Sequence, residues 1–152
     1  MLFRSTTTLN GSISGNGGLV KTGSGLLALR AANLFSGTVQ VNEGVLRLID
    51  VAALGVAGPS SGTVVGDTAA IEFNDPSGIT VGGEPLTLSG SGPGGTGALQ
   101  SVSGSNTWQG DITLAATTSV RVVNDTLRLD GAIRDSGGSQ SLIKIEIGRA
   151  HV

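Results

Sequence analysis

Four carboxylates in one window, Asp67, Glu72, Asp75 and Glu84, and three in another, Asp125, Asp130 and Asp135, are the side chains best suited by type to do chemistry. Two acids on a shared face would serve a polysaccharide-cleaving lyase or hydrolase as proton donor and base, and a tighter group would offer oxygen ligands to Ca2+. Neither pattern is complete. The acids form no Asp-x-Asp pair, no His or Lys cluster complements them, and nothing in the chain resembles a nucleophile with its base. Glu72-Phe73-Asn74-Asp75 is the best single candidate for a weak cation site, but the acids are expected on solvated faces and in turns. The glycine- and aspartate-rich nonapeptide that binds Ca2+ in some solenoids is missing. No catalytic residue, metal site or cofactor is assigned, and the chain is read as non-enzymatic.

A second set of residues is set apart by recurrence. Asn33 and Asn106 each stand two residues before an aromatic, Phe35 and Trp108, and four before a glycine, Gly37 and Gly110. Asn at such a position is expected to hydrogen-bond turn backbone, stacked along a corner with its equivalents. An exposed Phe35 or Trp108 would make a sugar-stacking platform, the requirement of an adhesin or glycan-binding surface; the expectation is instead that both pack over a corner. Lys21 and Lys144 look equivalent by repeat and are expected on an exposed strand face, where a lone lysine can snorkel.

The elements that position these residues follow from the same recurrence. The phrase Asn33 to Val41 is echoed by Asn106 to Leu114, and each copy leads to a strand ending Leu-Arg-Leu, at Leu46-Arg47-Leu48 and Leu127-Arg128-Leu129. Gly11-Ser12-Ile13 and Leu19-Val20-Lys21 pair likewise with Gly131-Ala132-Ile133 and Leu142-Ile143-Lys144. Self-similarity at long period marks stacked units that cannot bury their apolar faces alone. Apolar runs of three to five residues alternate with polar ones and are punctuated by Gly, Ser, Asn and Asp, the pattern of short strands joined by tight turns. In Thr38 to Val41, alternation sends Val39 and Val41 inward and Thr38 and Gln40 to water. Coils of roughly 20 to 30 residues would give about five to seven turns. Ala52 to Ser61 reads as a loop bulging from the rod, and the glycines between Gly90 and Gly97 read as corners.

Composition narrows the classes. Of 152 residues 26 are Gly, 38% are hydrophobic and only 3% aromatic, too few large side chains for the core of a compact enzyme. A mean hydropathy of +0.24 argues against disorder. No apolar run is long enough to span a bilayer, so no membrane insertion by this segment is expected. Cysteine is absent, and a formal net charge of -2 with dispersed cations gives nucleic acid no surface to bind.

Both ends read as non-native. Back-translated as CTC TTC CGA TCT and ATC GGA AGA GCA, Leu2-Phe3-Arg4-Ser5 and Ile147-Gly148-Arg149-Ala150 are nearly reverse-complementary and resemble a short-read sequencing adapter. The expected organisation is a non-native leader at 1–5, a repeat segment at 6–145 and a non-native tail at 146–152 that carries the only histidine, His151.

Gly18-Leu19-Val20-Lys21-Thr22-Gly23-Ser24-Gly25-Leu26-Leu27-Ala28-Leu29, the Asn33 to Gly37 turn and Val39 to Leu48 together resemble the autotransporter-associated β-strand repeat, also called the passenger-associated transport repeat. Leu86 to Leu129 resembles it more loosely, with Ser91 to Val102 replacing the lead and Asp125 standing where the first copy has Gly44. The resemblance implies an all-β fold, a right-handed single-stranded parallel β-helix cut from a longer array. It implies a non-catalytic stalk or display segment of an exported bacterial passenger, extracellular or at the cell surface. Its partners would be neighbouring coils of the same parent chain and, as an adhesin, extracellular glycans or host surfaces.

Overall fold

The computed structural model describes residues 5–146. The expected leader and tail therefore fall almost wholly outside the described residues, as does His151. Ser5 is in place as an acceptor for the Leu26 amide, and Glu146 closes the last strand.

Fifteen strands follow in order: β1 (Thr6–Leu9), β2 (Ser14–Gly15), β3 (Leu19–Lys21), β4 (Leu26–Leu29), β5 (Leu34–Phe35), β6 (Val39–Leu48), β7 (Thr63–Asn74), β8 (Thr80–Val81), β9 (Leu86–Gly90), β10 (Leu99–Ser103), β11 (Asn106–Trp108), β12 (Ile112–Val122), β13 (Leu127–Leu129), β14 (Ile133–Asp135) and β15 (Leu142–Glu146). Among the described residues the only helical piece is a 3-10 turn at Pro93–Gly95. Among the described residues every strand pairing is parallel and joins residues 19 to 29 positions apart, one turn of a coil. Parallel pairing at that separation leaves no room for a crossover helix, so the chain winds into a β-solenoid of about six turns.

The solenoid has three faces. Face A stacks β1, β4, the second half of β6, the second half of β7, β10, the end of β12 and β15. Face B stacks β3, the first half of β6, the first half of β7, β9, the start of β12 and β14. Face C holds β2 on β5 and, further along, β8, β11 and β13. Six rises of about 4.8 Å give a rod about 29 Å long.

Period-2 alternation decides what fills it. Val39, Val41, Val65, Leu86, Leu88, Ile112 and Leu114 line the inside of face B, and Leu29, Leu46, Leu48, Ile71, Phe73 and Leu99 the inside of face A, all buried. Thr38 and Gln40 are exposed. Each inward residue stacks on its counterpart one turn away, as in Leu27, Leu46, Ile71, Leu99 and Val120. The core is thus one continuous aliphatic column rather than a globular centre.

The structure corrects three readings of the repeat. Leu46-Arg47-Leu48 lies on face A, whereas Leu127-Arg128-Leu129 lies on face C, stacked on Asn106, Thr107 and Trp108. The true counterpart of the first triplet, three turns further along the face A ladder, is Val120-Arg121-Val122. Lys21 is on face B and Lys144 on face A, so these lysines are not equivalent, and Ile13 and Ile133 likewise part company. A Leu-x-Leu triplet suits any face, so sequence similarity alone assigns it to the wrong one.

Two loops also differ from expectation. Ala52 to Ser61 does not simply bulge outward: Ala53 and Leu54 enter the core, and its backbone replaces a face C strand, with the Asn33 amide donating to Ala52 O and the Val56 amide to Phe35 O. The glycine-rich stretch after β9 is not a bare corner either. Its 3-10 turn folds back over the outside of face A against β6 and β7, and Gln100 Nε2 pins it by donating to Thr96 Oγ1 and Gly97 O.

Candidate functional site

The polar side chains gather at the corners and form a lattice between coils. Asn106 begins the face C strand β11, Asn33 stands immediately before the face C strand β5, and both are buried. Asn33 Oδ1 accepts from the Ile13 amide one turn before, at 2.8 Å, and its Nδ2 donates to Ala53 O one turn after, at 2.6 Å. Asn106 Oδ1 accepts from the Ile79 amide at 2.8 Å, while its Nδ2 donates to Ser101 Oγ, Ser103 O and Gly104 O within its own turn. A carboxamide offers donors and an acceptor on one short side chain, which is what a corner with orphan groups of both kinds requires.

Phe35 and Trp108 point inward below these asparagines. Trp108 is fully buried, its ring meets Phe73 edge-on at 6.2 Å, and its Nε1 donates to Glu84 O at 2.9 Å. Both aromatics are therefore core, not rim, and neither offers a sugar platform. Gly37 and Gly110 follow where a neighbouring turn passes close. A Cβ at Gly37 would stand 2.6 Å from Gly17 C, and one at Gly110 would strike the Glu84 carbonyl.

Lys21 corrects the sequence reading most sharply. It occupies an inward register position, aligned with Val41, Val65, Leu88 and Leu114, and is only 7% exposed. Its stem runs in the interior while Nζ reaches the corner and donates to Thr22 O, Gly23 O and Glu43 O at 3.0, 2.6 and 3.0 Å. Burial pulls its pKa below the ordinary value, with the Glu43 charge opposing. Gly23 and Gly25 shape that corner. Gly25 O receives the Val45 amide of the next turn.

The carboxylates do not converge. Glu72 faces outward from face A beneath the folded-back loop, where Arg47 Nε pairs with its Oε1 at 2.5 Å. Asp75 is in the corner between faces A and C and accepts the Ser77 amide. Glu84 is in the corner between faces C and B, and Asp67 in the corner between B and A beside Gly90. Four acids spread over three corners and a face make no cleft, and Glu72 and Glu84 are buried rather than solvated. Glu84, 3% exposed, accepts from Thr63 Oγ1 at 3.0 Å. Burial raises its pKa, against the opposing hydrogen bonds from Thr63, Ser61 and Gly62. Asp125 accepts from the Gly104 amide, Asp130 pairs with Arg128, and Asp135 caps its own turn through the Gly137 amide. Among the described residues no group of three or more His, Cys, Asp or Glu is arranged to hold a metal ion.

Among the described residues the column is least covered around β13 and β15. Val120, Val122, Leu127, Leu129, Leu142 and Lys144 surround an apolar recess of about 130 Å3, and Leu142 and Ile143 are exposed. Leu46, at the same register as Val120, and Leu48, at the same register as Val122, are fully covered because turns lie on both sides of them.

The family model described as the passenger-associated-transport-repeat matches residues 19–48, the stretch from β3 to the end of β6. A stretch of 52 residues is 48% identical to the Adhesin BmaC autotransporter of Brucella suis biovar 1 (strain 1330), covering 34% of this chain and 2% of that protein. Another of 55 residues is 47% identical to the Extracellular serine protease of Serratia marcescens, covering 36% of this chain and 5% of that protein. The matched stretches are thus a small fraction of either relative's length. No solved structure matches. The chain carries a passenger-associated transport repeat, wound into the first turns of a parallel β-solenoid.

Proposed function

We propose that this chain is a non-catalytic stalk segment of an exported autotransporter-type passenger, displayed outside the cell, and that further coils of the same parent chain stack on its open end. The observation that carries this reading is the aliphatic column itself. It is sealed by neighbouring turns along its middle and open at β13 and β15, where half-buried Leu127 and Leu129 present the same inward rows to whatever stacks next. Parallel strand edges with apolar side chains behind them template another strand. The two relatives support a shared structural duty, since one is named an adhesin and the other a protease while both match this repeat-bearing chain. The adhesin alternative finds no aromatic platform at Phe35 or Trp108, and the polysaccharide-cleaving alternative finds no cleft among the acids.

The test is to place the chain between an export signal and a β-barrel translocator and to probe intact cells with antibody and external protease. Arrival at the surface as a protease-resistant segment that turns over no polysaccharide is the expected result. Retention in the periplasm, or cleavage of a glycan by the displayed segment, would overturn the reading.

A further inference from the structure

Lys21 stands where every other turn of face B, up to Leu114, has an aliphatic residue, so its amine needs a reason to be there. The reason is visible at the corner. Three backbone carbonyls, from Thr22, Gly23 and Glu43, converge on one nitrogen within hydrogen-bond distance. Three acceptors and no donor around a single amine call for all three protons, so the group is an ammonium. Two of the carbonyls belong to the Lys21 turn and the third to the next turn, so the cation joins successive coils. Gly44 belongs to the same construction: with φ +76, it lies where a Cβ would stand 2.5 Å from Gly23 O and 2.8 Å from Lys21 Nζ.

We infer that the corner formed by Thr22, Gly23 and Glu43 is a cation site of carbonyl oxygens whose occupant is the tethered ammonium of Lys21, and that this occupancy locks the first two turns of the repeat in register. The class of ligand is a primary ammonium: three N–H donors in a compact head, with a short apolar stem that fills the column. A surface depression lined by Ser5, Thr7, Val20, Thr22, Ser24 and Leu26 adjoins the lysine and gives a free ammonium a route to the cage. The lysine and both glycines lie within the matched repeat, so the inference also gives a physical reason for that Lys-x-Gly-x-Gly spacing. A cation needs carbonyls turned toward it, and glycine at positive φ, as at Gly23 with φ +75, turns them.

Two variants of the full chain test it. K21M keeps the stem and removes the charge; the expected result is a melting temperature lower by several degrees and faster amide exchange at Val45, whose N–H is bonded to Gly25 O across the corner. K21A removes both, and n-propylammonium chloride is expected to restore its melting temperature, whereas 1-propanol, with the stem but no charge, and tetramethylammonium chloride, with the charge but no N–H, are not. Should K21A fail to fold, K21M decides alone. A K21M chain that melts and exchanges like the parent overturns the inference, as does equal restoration of K21A by 1-propanol or tetramethylammonium. The stalk reading stands or falls separately, because it rests on the open column and not on this corner.

Discussion

Replacing the two corner asparagines should cost unequal amounts, although the sequence makes them look alike. Asn106→Ala removes the acceptor of the Ile79 amide, a residue only 1% exposed, and the donor to Ser101 Oγ, Ser103 O and Gly104 O. An orphaned buried donor costs about 1–3 kcal/mol and each lost neutral hydrogen bond about 1 kcal/mol, so with partial relaxation the loss is about 4 kcal/mol. Asn33→Ala removes one bond on each side, and Ile13 is only half-buried, so water replaces the acceptor for its amide; the loss is about 2 kcal/mol. For a chain of this size about 4 kcal/mol corresponds to a drop of roughly 8–16 °C in Tm. The assay is urea unfolding followed by far-UV circular dichroism and by emission of Trp108, the only tryptophan, which reports on the Asn106 turn. Equal losses, or a larger loss for Asn33→Ala, would show that the burial of its partners does not set the worth of the carboxamide.

Trp108 emission should be blue-shifted and resist acrylamide, and Trp108→Phe should cost about 1–2 kcal/mol for the bond to Glu84 O and the volume lost, measured by the same urea curves. Gly44→Ala should destabilise by about 3 kcal/mol or more, since its Cβ would meet Gly23 O, Gly25 O and Lys21 Nζ, whereas Gly23→Ala, at similar φ but with open space around it, should cost only about 1 kcal/mol; matched thermal melts separate the two. Glu84 gives a pH signature. Because burial raises its pKa in the fold above the ordinary 4.5, the folded state holds the proton more tightly than the unfolded chain does. Its contribution is therefore present in full below pH 4.5 and lost as pH rises through the raised value. Glu84→Gln should remove that falling limb, so the difference in urea midpoint between parent and variant should grow in favour of the variant from acid to neutral pH. A difference independent of pH would show that Glu84 does not titrate abnormally.

Much of the architecture can be read along the chain because solenoid rules are local. Alternation in Val39-Gln40-Val41 sends the valines inward whatever turn they occupy, and glycine-punctuated triplets at long period already imply stacked coils. What cannot be read is which face a triplet joins. Leu46-Arg47-Leu48 and Leu127-Arg128-Leu129 are alike in type, yet Leu46 follows Val41 by 5 residues and falls on the next face, A, whereas Leu127 follows Leu114 by 13, past Thr118 to Val122 of face A, and so falls on face C. The same holds for charge. Glu72 points outward by alternation, as a solvated acid should, and is buried only because a loop from the next turn folds over it. Lys21 lies in an inward row, which alternation with Leu19 does signal, but polarity argues for the surface until the three carbonyls of the corner are known. Glu84 is hidden for a similar reason: its partners Thr63 and Trp108 come from the turns before and after it.

Turn upon turn stacks into a parallel rod, and one distance tests it. Val20, Gln40, Val64, Thr87, Thr113 and Arg134 follow one another in register up the outside of face B, one per turn. The chain has no cysteine, so Val20→Cys and Arg134→Cys can be spin-labelled cleanly and their separation measured by pulsed electron resonance. Five strand spacings of about 4.8 Å predict a narrow distribution centred near 24 Å. A broad distribution reaching about 60 Å, the span of a flexible chain of this length, or a sharp peak beyond about 40 Å, would contradict the stacked-coil account.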